Sequence, residues 1–161
     1  MDLLNRLLGH DAWTTRQLLE ICATLSDEQL DREFDIGHRS LRATLHHIIC
    51  NMEIWSTLMA AEPIEPQSDQ SIAGLLQRLT VAATRLESTG KQVAAEQAWD
   101  EVWIDVLDDP PREKTFGTGL AHIITHSMHH RAQLLYLLRL SGVESLPEGN
   151  VFTWETQIKR G

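Results

Sequence analysis

Three histidines at four-residue spacing, His122, His126 and His130, fall within one helical segment of this chain, and a fourth, His47, stands far upstream in another. Imidazole nitrogens bind divalent metals, and three of them leave coordination positions open for water or substrate, as a catalytic metal requires. Which rings can share an ion depends on the side of the helix each occupies. At about 100° per residue, His126 and His130 lie about 40° apart and one turn apart along the axis, so both can reach one point. With His130 at zero, Ile123, Leu134 and Leu137 fall within about 40° of it, which directs His130 into the apolar arc and sets His126 at its border. His122 and His129 fall near about −80° and −100°, at the rim rather than on an internal ion.

The adjacent His46 and His47 are separated by the same test. With His47 at zero, Ile54, Leu58 and Asn51 lie within about 40° of it, whereas His46 falls near about −100°, beside Glu53. His47 faces inward and His46 outward. Three inward imidazoles from two helices would each need a partner if left in a core, and one shared ion satisfies all three. His47, His126 and His130 are therefore the candidate metal ligands. His10 occupies a stripe position between Leu7 and Thr14 on the first helical segment. Three roles stay open for it: a fourth ligand, a residue behind the ligands, or a histidine bonded to a carbonyl, with the last two favoured. No carboxylate has an equally convincing inward position near the histidines.

These residues need a scaffold that brings two helices together. Residues 3–25 read as a helix with Leu3, Leu7, His10, Thr14, Ile21 and Leu25 along one stripe, and Ser26-Asp-Glu-Gln29 matches a capping box opening a short helical piece that ends near Gly37. Ser40 caps a second long helix, Leu41 to Ala60, closed by the proline-containing linker AEPIEPQSDQ. A third runs from Ile72 to about Ala95. Residues 99–107 lose the helical period and read as a short strand or extended loop. Thr118 or a neighbour opens the last long helix, which Gly142 stops, and the tail to Gly161 carries Phe152 and Trp154, expected to pack back on the body. The class is all-α: one domain, residues 1–161, built as a four-helix bundle with long crossover connections.

With 161 residues and 42% apolar content, the chain can bury a core without disulfides. Cys22 and Cys50 lack the spacing of a zinc knuckle or redox pair and read as small buried thiols, which favours a reduced, cytoplasmic protein. A net charge of −9, with no cluster of Lys and Arg, argues against nucleic acid, because phosphate binding draws its affinity from such clusters. No apolar run reaches the length of a membrane span.

Three separated blocks resemble the DinB/YfiT-like family of metal-binding four-helix bundles. His10-Asp-Ala-Trp13 is similar to the family's first-helix block, Ser40-Leu-Arg-Ala-Thr-Leu-His-His47-Ile to its second-helix block, and His122-Ile-Ile-Thr-His126-Ser-Met-His-His130-Arg-Ala-Gln133 to its His-x-x-x-His-Arg-Gly-Gln signature. The chain departs at Asp11, where Asn is common, and at Ala132, where Gly is common. The resemblance implies His47, His126 and His130 as ligands, with His122 outside the set. It also implies a divalent ion, zinc or nickel ahead of manganese or iron, and a homodimer. Relatives include S-transferases and isomerases that use low-molecular-weight thiols.

The catalytic group would then be a water or substrate thiol on the metal, which lowers its pKa toward neutrality. A thiol-dependent S-transferase acting on small electrophiles ranks ahead of a hydrolase, with His10 and His122 behind the ligands. Arg131 reads as half of a structural ion pair rather than a substrate contact. The rival is a non-enzymatic protein whose metal serves structure or a stress response; three histidines leave a vacancy that structural zinc sites close with a fourth ligand.

Overall fold

The structure is a computed structural model that describes residues 1–159. Four long helices form its body: α1 (Leu3–Cys22), α3 (Leu41–Met59), α4 (Ile72–Glu96) and α5 (Phe116–Leu140), joined by short α2 (Asp27–Asp31), the strands β1 (Val102–Asp105) and β2 (Arg112–Thr115), and a terminal α6 (Val151–Ile158). Round the bundle the order is α1, α4, α3, α5, so the chain crosses the diagonal twice, from α1 to α3 and from α4 to α5. These are the long crossovers, carried by the α2 segment and by the β1–β2 hairpin. Among the described residues, no helix is long and apolar enough to cross a membrane.

Helix starts follow side-chain capping. Asp2, Ser26, Ser40, Ser71, Thr115 and Asn150 each accept a backbone N–H of the first turn, and Ser26 and Gln29 complete the capping box. Each satisfies an amide that would otherwise lack a partner. The last long helix begins earlier than Thr118, because the Thr115 hydroxyl accepts the Thr118 N–H at 3.3 Å.

The buried face of α1 departs from the expected stripe. Leu8, Asp11, Thr14, Thr15, Leu18, Leu19 and Cys22 are buried, whereas Leu3 is 72% exposed. Paired leucines at 3–4 and 7–8 make the period ambiguous, and the partner helix decides it. Gly90 of α4 lets the Leu4 and Leu8 side chains approach so closely that a Cβ there would lie 2.9 Å from Leu4 Cδ2.

The segment after α4 is strand as well as loop. β1 pairs antiparallel with β2, a strand the sequence did not announce, and turns Trp103 and Asp105 inward. Buried Asp105 bonds Lys114 of β2 and accepts the Leu107 N–H at 3.0 Å. In the tail, Trp154 is buried over Gly9, but Phe152 is 79% exposed and does not pack back. Between the helices, Leu19, Leu41, Leu45, Ile48, Ile49, Met52, Leu75, Leu79, Leu120, Ile123 and Leu134 form a continuous buried core. Ile48, Ile49 and Met52 anchor α3, and Ile123 and Leu134 anchor α5, which fixes the rotation of the two histidine-bearing helices.

Candidate metal centre

With Ile48 and Ile49 in the core, His47 of α3 turns toward α5 and meets His126 and His130 there. The His126 Nε2 lies 3.1 Å from the Nε2 of His47 and 3.2 Å from that of His130. The ring centroids of His47 and His130 stand 4.6 Å apart, edge to face. His126 thus stands between the rings of His47 and His130, where α3 meets α5.

The remaining histidines separate. His46 points away, its Nδ1 3.4 Å from the Cys50 sulfur. His122 stands edge-on to Trp55 at 5.4 Å and 5.2 Å from the His126 ring, at the rim. The His10 Nε2 lies 2.7 Å from the Gly149 carbonyl oxygen, and its ring neighbours are Trp13 and Trp154 rather than the clustered histidines. Arg131 is paired with Asp11 of α1, both buried. Burial outweighs the guanidinium and holds the Asp11 carboxyl above its usual range.

Two further residues complete the cluster, and one of them, His38, lies outside any helix. His38, on the turn between α2 and α3, stacks on His47 with centroids 3.7 Å apart and planes 27° from parallel. One ring nitrogen each from His38, His47 and His130 lies within 4.8 Å of the others, a group able to hold a metal ion. Gln133 of α5 has its Oε1 2.9 Å from His130 Nδ1 and its Nε2 3.0 Å from His129 Nε2. A carbonyl oxygen only accepts, so His130 carries its proton on Nδ1 and presents an unprotonated Nε2 to the cluster. The sequence signal for His38 is a glycine followed by histidine just before a helix cap. Outside a helix, no period assigns such a residue a side.

Burial and the neighbouring imidazoles push both His47 and His126 down to about 4. Both are therefore neutral near pH 7, with lone pairs available. Hydrogen bonds among the rings satisfy them poorly. His126 Nε2 lies within 3.2 Å of both other Nε2 atoms but can make only one such bond, whether it donates or accepts, and its buried Nδ1 has no hydrogen-bond partner. The separations instead suit a shared ion: nitrogens about 2.0–2.1 Å from a metal stand about 2.8–3.4 Å apart in octahedral or tetrahedral geometry. The donor set fits a divalent metal, with His130 oriented from behind by Gln133 in the manner usual for imidazole ligands.

The family model described as DinB matches residues 1–160. Among solved structures, a DinB-like protein from Bacillus cereus ATCC 10987, determined at 2.01 Å, superposes with a TM-score of 0.63 at 19% identity, covering 86% of this chain and 91% of that one. At that identity the likeness shows the fold. No curated protein matches the chain.

Proposed function

The chain belongs to the DinB family, and from that premise we propose that it is a metal-dependent enzyme whose ion is held by His47, His126 and His130. The observation that supports this reading is the approach of His126 Nε2 to His47 Nε2 at 3.1 Å and to His130 Nε2 at 3.2 Å, three imidazoles from two helices. Zinc or nickel suits neutral imidazoles best, with manganese or iron next. When bound, such an ion lowers the pKa of a thiol or water at its open positions.

This chain's side chains supply the rest. Gln133 fixes the tautomer of His130. His122, one turn from His126, has its pKa pushed down by burial and by Lys114. It is therefore neutral near pH 7 and placed to accept a proton released by a thiol or water. Trp55, edge-on to both His122 and Trp103, gives the rim an aromatic wall against which a small apolar electrophile can lie. This arrangement serves thiol transfer and hydrolysis alike, and the thiol-dependent transferases among the family's members rank thiol transfer to a small electrophile first. A homodimer is part of the same family-based reading.

The test begins with metal. Zinc or nickel at about 100 times its Kd adds about 2.7 kcal/mol to stability, a rise of about 5–11 °C in Tm for a domain of this size. Replacement of His47, His126 or His130 by Ala removes that rise, and His46→Ala keeps it. The loaded protein is then given a small thiol and 1-chloro-2,4-dinitrobenzene. Metal-dependent thioether formation supports the transferase, and ester hydrolysis without thioether supports the hydrolase. A protein that retains metal yet does neither supports the non-enzymatic rival, and one with neither retained metal nor a melting shift refutes the metal site.

A further inference from the structure

We propose that His38 is a displaceable fourth ligand, which closes the ion held by His47, His126 and His130 until a substrate thiol replaces it. This rests on the metal-binding reading above and adds to it a loop residue outside the two ligand helices.

The first observation is position. His38 has a ring nitrogen within 4.8 Å of ligand atoms of both His47 and His130, on the partly exposed side of the cluster, where coordination positions would otherwise meet solvent. The second is orientation. Two rings stacked 3.7 Å apart with planes 27° from parallel have no common in-plane point near either ring, so an ion about 2.1 Å from the nitrogen of one, in its plane, lies off the plane of the other. As it stands, the ring is parked against His47. Rotation about its own side-chain bonds takes it off the stack and toward the ion, with no helix movement.

The third observation is the turn that holds it. His38 is flanked by two residues of positive φ, Gly37 at 51° and Arg39 at 73°. Arg39 pays a steric penalty there that glycine would not, and such conformations persist only where surrounding contacts impose them. Those contacts are present. Phe34 donates its N–H to the Arg39 carbonyl at 2.7 Å, Ser40 donates to the His38 carbonyl at 2.9 Å, and Arg39 pairs with Glu33 at 2.7 Å. Gly37 lies so close to the Gln133 amide that a Cβ would collide with Oε1, the same atom that accepts from His130. The turn is thus keyed to the glutamine that orients a ligand, and the next residue, Ser40, caps the helix carrying His47. A surface loop with no role at the centre needs neither the strained Arg39 nor contact with Gln133.

The consequence is a site with two states. Four imidazoles make the closed coordination typical of structural zinc, and three make the open coordination typical of catalytic zinc. A soft thiolate is a better ligand than a fourth imidazole for zinc, so thiol binding selects the open state.

The experiment uses the full chain loaded with cobalt, whose visible bands strengthen as coordination drops from six toward four. The wild type is compared with His38→Ala and His38→Gln, with circular dichroism to establish that each variant is folded. The expected result is weaker bands in both variants, restored by free imidazole, which leaves the wild-type spectrum unchanged. A small thiol should give the same final spectrum in all three proteins. In the wild type, thiol should also expose His38 to diethyl pyrocarbonate, read by peptide mass spectrometry. Identical spectra in wild type and both variants before any addition, or weak variant bands that imidazole fails to restore, would overturn the proposal while leaving the three-histidine site standing. Absence of cobalt uptake by the wild type would overturn both.

Discussion

Replacement of Asp11 by Ala should destabilise the protein far more than joint replacement of Asp11 and Arg131. The two side chains are 1% and 9% exposed, and the Arg131 guanidinium reaches its carboxylate from α5 across to α1, with the Thr15 hydroxyl a further 3.4 Å contact. Asp11→Ala strands a guanidinium that cannot shed its proton, at a cost of about 3–5 kcal/mol. At about 2–4 °C per kcal/mol, the Tm falls by about 6–20 °C. Arg131→Met strands a carboxyl, which can take up a proton. Burial already raises the Asp11 pKa despite the guanidinium, and removing the cation raises it further. A raised folded pKa means a contribution fully present below the unfolded value and lost as pH rises. The Arg131→Met deficit should therefore shrink from pH 7 toward pH 5, whereas the Asp11→Ala deficit should not shrink, because that variant lacks the carboxyl whose protonation stabilises the fold. In Asp11→Leu/Arg131→Met no charge is left stranded, and stability should return to within about 1–2 kcal/mol of wild type. Urea unfolding of the four proteins at both pH values, with metal removed, measures the three deficits. A double variant as unstable as the sum of the singles, or an Asp11→Ala cost under about 1 kcal/mol, would refute the buried-pair reasoning and return Arg131 to the substrate-contact role.

Three further outcomes follow from the same geometry. In metal-free protein, His47 and His126 are held down to about 4 from 6.5, so the unfolded chain binds more protons between those values. Stability is then complete above about pH 6.5 and is lost as pH falls through about 4, and a urea midpoint that stays level over this window in wild type would count against the assignment. Iodoacetamide should label Cys50 in the native protein and spare Cys22, which is fully buried with its thiol pushed up to about 12; peptide mapping that finds Cys22 alkylated first contradicts the packing of α1. Gly90→Val should cost about 1–3 kcal/mol by overpacking, because Leu4 Cδ2 and Leu8 Cδ1 would lie 2.9 and 3.1 Å from its Cβ, while leaving metal uptake intact. A Tm equal to wild type would show that α1 and α4 meet elsewhere.

Legibility from sequence tracked how strongly each residue's environment depends on helical period. The bundle, its caps at Ser26 and Ser40 and the separation of His47 from His46 could be read because a helix ties each side chain's direction to its position. The buried face of α1 was misread because leucines at 3, 4, 7 and 8 support two phases equally, and the choice between them lies in Gly90, more than eighty residues away in sequence. β2 was missed for a related reason. Arg-Glu-Lys-Thr is polar throughout, and its strand conformation comes from pairing with β1 and from Lys114 reaching buried Asp105. Phe152 and Trp154 look alike in composition, yet only Trp154 meets a glycine, Gly9, that leaves room for its ring.

The same distinction bears on what the site can do. Helical phase brings together His47, His126 and His130, and a bundle with those three alone is an open centre suited to chemistry. His38 lies outside any helix and is held over the site by hydrogen bonds and an ion pair within one turn, so it has no period to reveal it. Yet, as a fourth ligand, this residue would decide between open and closed coordination. A reading confined to the helices therefore favours catalysis over a structural metal partly because it leaves out the only further imidazole stacked against a proposed ligand among the described residues. The two readings converge if the fourth ligand is exchangeable: the centre is closed and stabilising at rest, and open only when a thiol has arrived. On that account the reaction is gated by the turn at Gly37–Arg39, and Gly37→Ala, which pushes against Gln133 Oε1, should impair metal binding and thiol exchange together. Loss of neither would show that the turn does not control the centre.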